Sequence, residues 1–422
     1  MNRTVKKSIL PNGIRLITQN NPADYSCALG FWVTRGAKHE KPEHNGISHA
    51  IEHMLFKGTE RRSAFQIAKD LDSVGGVLNA FTSHEYVCYY AKVLDEFIPK
   101  AVDLLSDIFL NSSFPEKEVN KELKVVLQEI RMKYDDPESH IHDLFQRHFW
   151  QNSPMGRPVI GDDLTVGGFT RELLIKYKNE NYTAENIIIT AAGKVDHEKL
   201  LALISKQFEN VKPGNRPSEK IKLPEYRKQL NNEYRDMEQV LLCLGTVSTS
   251  QTDPRRFDAY MLNTLLGAGM SSKLFQAIRE KHGLAYSIFS YNISYEEGGA
   301  FVIHSGTTSD KAEVVIALIL KELKELKTEL LSTEELASYY NQLKGNTLLA
   351  LESNDSMMNK IARTEMFFGE YKPVESMLEE LANVTPVSLR KFANEIFDEK
   401  FFTLEFLGNT KNIRMSVEDL AL

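Results

Sequence analysis

The sequence predicts an α+β fold built as two homologous halves, and three observations lead there. The first is a repeat in register. Thr170, Leu174, Tyr177, Tyr182, Ile187, Ile189 and Gly193 match Thr385, Leu389, Phe392, Phe397, Phe402, Leu404 and Gly408 at a constant offset of 215 residues, so one helix followed by one strand occurs twice. The second is the stretch Val211-Lys212-Pro213-Gly214-Asn215-Arg216-Pro217-Ser218, rich in Pro and Gly and free of hydrophobic periodicity. It sets an N-terminal domain at 1–212, a linker at 213–224 and a C-terminal domain at 225–422. Third, each half orders its elements strand, strand, helix, without the regular alternation of a doubly wound sheet.

Taken in order, residues 8–17 read as a hairpin, because Asn12-Gly13 supplies the positive φ angles of a tight turn between apolar runs. Cys27 to Val33 is a strand ending at Gly36, and a charged loop from Lys38 to His44 leads to a helix opening at Gly46. A second helix, Ser63 to Ser73, stops at Gly75-Gly76; residues 77–83 and 86–93 then read as paired strands, and 98–110 returns to helical spacing. Ser113-Phe114-Pro115-Glu116 has the form of a capping box with proline in the first turn, starting a helix through Ile130. In the second half Val240 to Thr246 is a strand. Arg256 to Leu266 is a helix in the repeat position of the Gly46 helix. Gly283 ends a further helix as a left-handed cap, after which Tyr286 begins an extended segment.

At 422 residues and 42% hydrophobic, the chain has material for two cores. A net charge of −7 without a basic run argues against a nucleic-acid partner. The three cysteines, Cys27, Cys88 and Cys243, are far apart and form no Cys-x-x-Cys, so neither a disulfide framework nor a thiolate metal site is indicated. No apolar segment follows the basic residues Arg3, Lys6 and Lys7, and no run of 18 apolar residues occurs, so a cytoplasmic protein without a membrane partner is expected.

Chemistry concentrates in His49-Ala50-Ile51-Glu52-His53. At about 100° per helical residue the two imidazoles lie one turn apart, and Glu52 is displaced by about 60° to the side of His49. Two imidazoles so placed can share a metal ion, with a carboxylate beside them in reach of a water; zinc suits neutral imidazole and leaves a position open. The order His-x-x-Glu-His is the inverzincin motif. A third ligand is needed. Glu122 and Glu129, seven apart on one helix beside an apolar stripe, are the candidates; Glu129 is chosen as ligand, with Glu122 as its outer partner or alternative. The Arg256 helix lacks histidines, so the second half cannot hold the same site. Gly267-Ala268-Gly269-Met270-Ser271-Ser272-Lys273 is Gly-rich but has no Gly-Lys-Ser/Thr and follows a helix, which speaks against a phosphate loop. His140 and His142, two apart on a helix, point apart and are expected at the surface.

Together these pieces resemble the pitrilysin/insulinase family of zinc peptidases, nearest in size and layout to bacterial relatives of the mitochondrial processing peptidase, over nearly the whole chain. His49-x-x-Glu52-His53 matches the family's zinc helix, and Glu129, 76 positions after His53, falls where the family places its third ligand. Glu122 matches the preceding family glutamate. Residues 75–82 resemble the family's substrate-binding edge strand, and Arg279 with Tyr286, seven apart, resembles its Arg/Tyr pair.

The resemblance implies two α/β-sandwich domains of similar topology forming one half of a clam-shell, and one Zn2+ per chain on His49, His53 and Glu129. Glu52 would be the general base, zinc with Tyr286 would stabilise the oxyanion, and Arg279 would position the substrate backbone. Asn79, Ala80 and Phe81 would hold a peptide as an added β-strand. A 422-residue chain supplies one half of such a chamber, so a homodimer is expected, or a heterodimer with a paralogue. The function this gives is zinc-dependent endopeptidase activity on peptides or unfolded segments. The alternative of another class is a non-catalytic peptide-binding subunit, and retention of Glu52 speaks against it.

Overall fold

The N-terminal half supplies six strands: β1 (Thr4–Ile9), β2 (Arg15–Asn20), β3 (Ser26–Val33), β4 (Val77–Thr82), β5 (Val87–Leu94) and β6 (Ile187–Gly193). They form one sheet in the order β1-β2-β6-β3-β5-β4. Every pairing is antiparallel except β2 with β6. β1 and β2 are the expected hairpin, in register from Thr4↔Asn20 to Ile9↔Arg15. The central strands β3 and β6 are buried almost throughout. Their continuous apolar runs reflect a sheet covered on both faces. This architecture is that of a computed structural model, which describes residues 4–214 and 221–422.

Four helices follow the sequence reading: α1 (Ile47–Leu55), α2 (Ala64–Asp72), α3 (Ile98–Asn111) and α4 (Glu116–Asp135). The amphipathic faces of α1 and α3 pack Ile51, Met54, Leu105 and Phe109 with Phe31 and Tyr89 of the sheet in one core. The start of α4 departs from the expected capping box. The amides of Glu118 and Val119 bond to the Pro115 carbonyl, and Ser113 donates its hydroxyl to the Gly58 carbonyl instead of accepting from the helix. Phe114 at φ +48° turns the chain between them, so the serine is aimed at its other neighbour.

The C-terminal half supplies β7 (Gln229–Tyr234), β8 (Gln239–Ser248), β9 (Ala285–Ser294), β10 (Gly299–Thr308) and β11 (Thr403–Gly408), in the order β7-β11-β8-β10-β9. Here β7 and β11 are the parallel pair. The repeat is therefore topological: β2-β6-β3-β5-β4 in the first sheet corresponds to β7-β11-β8-β10-β9 in the second, with β1 added at one edge. Its sequence signature survives in detail. Helices Arg171–Asn181 and Pro386–Ile396 are each capped by a threonine side chain, Thr170 and Thr385.

The domain boundaries need one correction. Two compact units exist, but they interleave: the first comprises residues 4–132, 157–214 and 349–371, the second 133–156, 221–348 and 372–422. Helix α5 (Pro137–Phe149), from the first half, lays Ile141, Leu144 and Phe145 on Leu241, Cys243 and Val302 of the second sheet. Helix Asn354–Phe368, from the second half, lays Met357, Met358 and Ile361 on Ala28, Trp32 and Ile188 of the first. Each sheet has two apolar faces, and an amphipathic helix pattern does not say which sheet it covers. Of the expected linker, 215–220 lie outside the described residues, and 213–214 and 221–224 carry no regular structure. No helix among the described residues is long and apolar enough to cross a membrane.

Candidate active site

Helix α1 is held by its buried residues Ile47, Ala50, Ile51, Met54 and Leu55, which leaves His49, Glu52 and His53 half-buried on the opposite side. Its entry is specified closely. Gly46 sits at φ +93°, and a Cβ there would meet the Ile160 carbonyl oxygen at 2.6 Å. The buried Glu40 carboxylate accepts from the amides of Gly46 (2.7 Å) and Ser48 (2.8 Å), satisfying orphan donors of the first turn. Burial pushes the Glu40 carboxyl up, against the pull of the Ser48, Gly46 and Asn45 donors.

The two imidazole rings stand 4.8 Å apart between centroids. Glu129 Oε2, on α4, lies 3.4 Å from His53 Nε2 and 3.9 Å from His49 Nε2. Two zinc bonds of about 2.05 Å at a tetrahedral angle span about 3.3 Å, so the two Glu129 edges are close to what one ion requires, and all three donors lie within 4.8 Å of one another. Glu122, 4% exposed, occupies the outer position: its Oε2 is 3.3 Å from His53 Nδ1 and its Oε1 2.8 Å from Lys57 Nζ. A carboxylate on the far ring nitrogen orients a ligating histidine.

Glu52 is not among the three converging donors. Its Oε2 accepts from the Thr82 hydroxyl at 2.5 Å. Burial raises the Glu52 carboxyl above its ordinary range, the Thr82 bond and His53 oppose this, and Glu129 adds to it. Thr82 ends β4, the edge strand of its sheet, so the strand carrying Asn79, Ala80 and Phe81 is tied directly to the candidate base. Phe81 packs edge-on against Trp32, Tyr86 and Tyr90, which stiffens that edge.

Thus His49, Glu52, His53, Glu122 and Glu129 come together in the first unit, with Asn79 to Phe81 on the adjoining strand. Arg279 and Tyr286 are brought together in the second: the guanidinium lies 5.7 Å from the tyrosine ring centroid, and Tyr286, 79% exposed, is the second residue of β9, after the Gly283 cap at φ +59°. Two residues escaped sequence reasoning, Glu40 and Lys57; Lys57 follows His53 at i+4 and Glu40 precedes the helix by one loop, so both carried a weak signal. Thr82 lay in the stretch singled out as an edge strand, but its bond to Glu52 had no signal, because only sheet pairing brings the two together. The stretch 138–142 also corrects the expectation. His140 is 5% exposed with Nε2 3.1 Å from Glu233, and His142 Nδ1 lies 2.6 Å from the Tyr291 hydroxyl. The sheet they pack against, burying His140 and half-covering His142, arrives about a hundred residues later in the chain.

Residues 15–163 match the family model for insulinase (peptidase family M16), and residues 168–343 match that for the peptidase M16 inactive domain. An uncharacterized zinc protease of Bacillus subtilis, YmxG, is 37% identical over 397 residues, covering 94% of this chain and 97% of that one. An uncharacterized zinc protease of Streptomyces coelicolor is 36% identical over 98% of this chain and 91% of its own. Among solved structures, a protease from Helicobacter pylori superposes with a TM-score of 0.90 at 22% identity over 96% of this chain and 99% of that one, and a peptidase M16 inactive domain from Pseudomonas fluorescens with 0.89 at 17% over 96% and 98%. These two show the fold.

Proposed function

We propose that this chain, which belongs to the insulinase family of peptidases, family M16, is a zinc-dependent endopeptidase acting on peptides or unfolded protein segments. The observation that carries the reading is the convergence of His49, His53 and Glu129 beside an ionisable carboxylate that is not one of them. The names of its relatives as zinc proteases support the metal and the reaction class. His49, His53 and Glu129 would hold a zinc ion, which would supply Lewis acidity toward a peptide carbonyl and a water. Glu52 takes the proton of the attacking water and returns it to the departing amine, and its raised pKa suits both transfers. The β4 edge binds the substrate backbone by main-chain hydrogen bonds, which favours extended, unfolded segments over folded ones. Arg279 and Tyr286 are assigned, from the family resemblance, to substrate positioning and oxyanion stabilisation, and the working assembly to a homodimer.

A non-catalytic peptide-binding role has no use for Glu52. The test is incubation of the purified chain with a mixed peptide pool, with and without a chelator, alongside Glu52→Gln. Hydrolysis should be chelator-sensitive, and the variant should keep its metal while losing about 10²- to 10⁴-fold in rate. Near-normal hydrolysis by metal-replete Glu52→Gln sinks the mechanism.

A further inference from the structure

Within the second unit, α5 and the sheet bring together three metal-binding side chains far apart in sequence. Cys243 on β8 directs its Sγ to within 3.6 Å of His142 Nδ1 and 3.7 Å of His304 Nδ1, the latter on β10. All three offer donor atoms within 4.8 Å of one another. With bonds of about 2.3 Å to sulfur and about 2.05 Å to nitrogen, a tetrahedral zinc ion places sulfur and nitrogen about 3.6 Å apart, so both sulfur-to-nitrogen edges already have the right length. The Tyr291 hydroxyl on β9 lies 2.6 Å from His142 Nδ1, at hydrogen-bond distance. On the far side of His304, Nε2 faces Glu138 Oε2 at 3.1 Å without an aligned hydrogen bond, although the side chain is wholly buried. That is where a ligating histidine meets a carboxylate partner. Phe289, its ring 4.9 Å from that of His304, walls the cluster.

We propose that His142, Cys243 and His304 form a second, structural zinc site that pins the exchanged helix α5 to the sheet it covers. The donor set fits the metal: a thiolate and two neutral imidazoles suit a borderline-soft divalent ion, and Cys243 and His304 are wholly buried, out of reach of a substrate. The charges also balance, since the thiolate and the outer Glu138 carboxylate together match the ion. The metal content of the full chain then rises to two per chain, one in each unit.

Cobalt(II) distinguishes the two sites, because His49, His53 and Glu129 include no sulfur. The full-length His49→Ala/His53→Ala chain, stripped of metal and kept reduced, is titrated with cobalt(II). A near-ultraviolet thiolate-to-cobalt charge-transfer band should grow to saturation at one ion per chain, with a rise in Tm. Cys243→Ser in the same background should abolish the band, and His304→Gln should weaken cobalt binding by at least tenfold while far-ultraviolet dichroism remains that of the parent. No band at excess cobalt in the folded parent overturns the site. So does a band that survives Cys243→Ser or binds cobalt unchanged in His304→Gln. None of these readouts depends on peptidase activity, so failure here and failure of the proposed function are separate results.

Discussion

Thr82→Val removes one hydroxyl while keeping the β-branched shape that suits β4. The bond lost is the 2.5 Å donation to Glu52 Oε2. A hydrogen bond to an ionised group is worth about 1.5–3 kcal/mol, which corresponds to about 10- to 160-fold in rate if the carboxylate must be both ionised and aimed. Two effects act in the same direction. Burial already holds the Glu52 carboxyl high and the Thr82 donor is the largest influence opposing it, so the valine variant raises it further; the carboxylate also loses the contact that orients it. Because Glu52 works as a base only when ionised, the acidic limb of kcat/KM should move to higher pH and the rate near neutrality should fall. Peptide hydrolysis by zinc-loaded wild type, Thr82→Val and Thr82→Ser, followed across pH, reads both effects, and serine should restore the wild-type limb. A valine variant with an unshifted acidic limb and a kcat/KM within about twofold of wild type refutes the coupling of the edge strand to the base.

Glu129→Gln should severely reduce metal retention on dialysis, whereas Glu122→Gln should weaken affinity by about 10- to 100-fold, the usual effect of an outer partner; the reverse order of severity reverses the assignment. Tyr286→Phe should lower kcat by about 10²- to 10³-fold with metal content and Tm unchanged, the loss expected for one oxyanion donor, and an unaffected kcat removes Tyr286 from the chemistry. Burial raises the Asp107 carboxyl, but bonds from Asn111, Arg62, Thr59 and Arg61 outweigh it and hold it below its ordinary value. Its contribution is therefore present above the unfolded carboxylate range and lost as pH falls through the lower folded value. Asp107→Asn should cost about 2–3 kcal/mol in urea unfolding at pH 7, with the gap to wild type narrowing below about pH 4; a gap independent of pH contradicts the ion-pair account.

The sequence by itself determined what is local in the chain. Helical spacing put His49 and His53 on one face with Glu52 beside them, and put Glu122 and Glu129 two turns apart on α4, because the 3.6-residue period carries that information without any tertiary contact. The offset of 215 residues likewise announced two like sheets, and both appear with matching strand order. Tertiary structure decided whatever depends on which surface meets which. Only the pairing of β4 with β5 at the sheet edge brings Thr82 to Glu52, and only the folded entry loop seats Glu40 on the first amides of α1. Two histidines two apart on a helix carry no sign of what covers them, so His142 read as surface and Cys243 as an isolated thiol; the sheet supplied by residues 239–308 joins them. Periodicity records that a side chain is buried, while the identity of its neighbour is a long-range fact that no window of sequence contains.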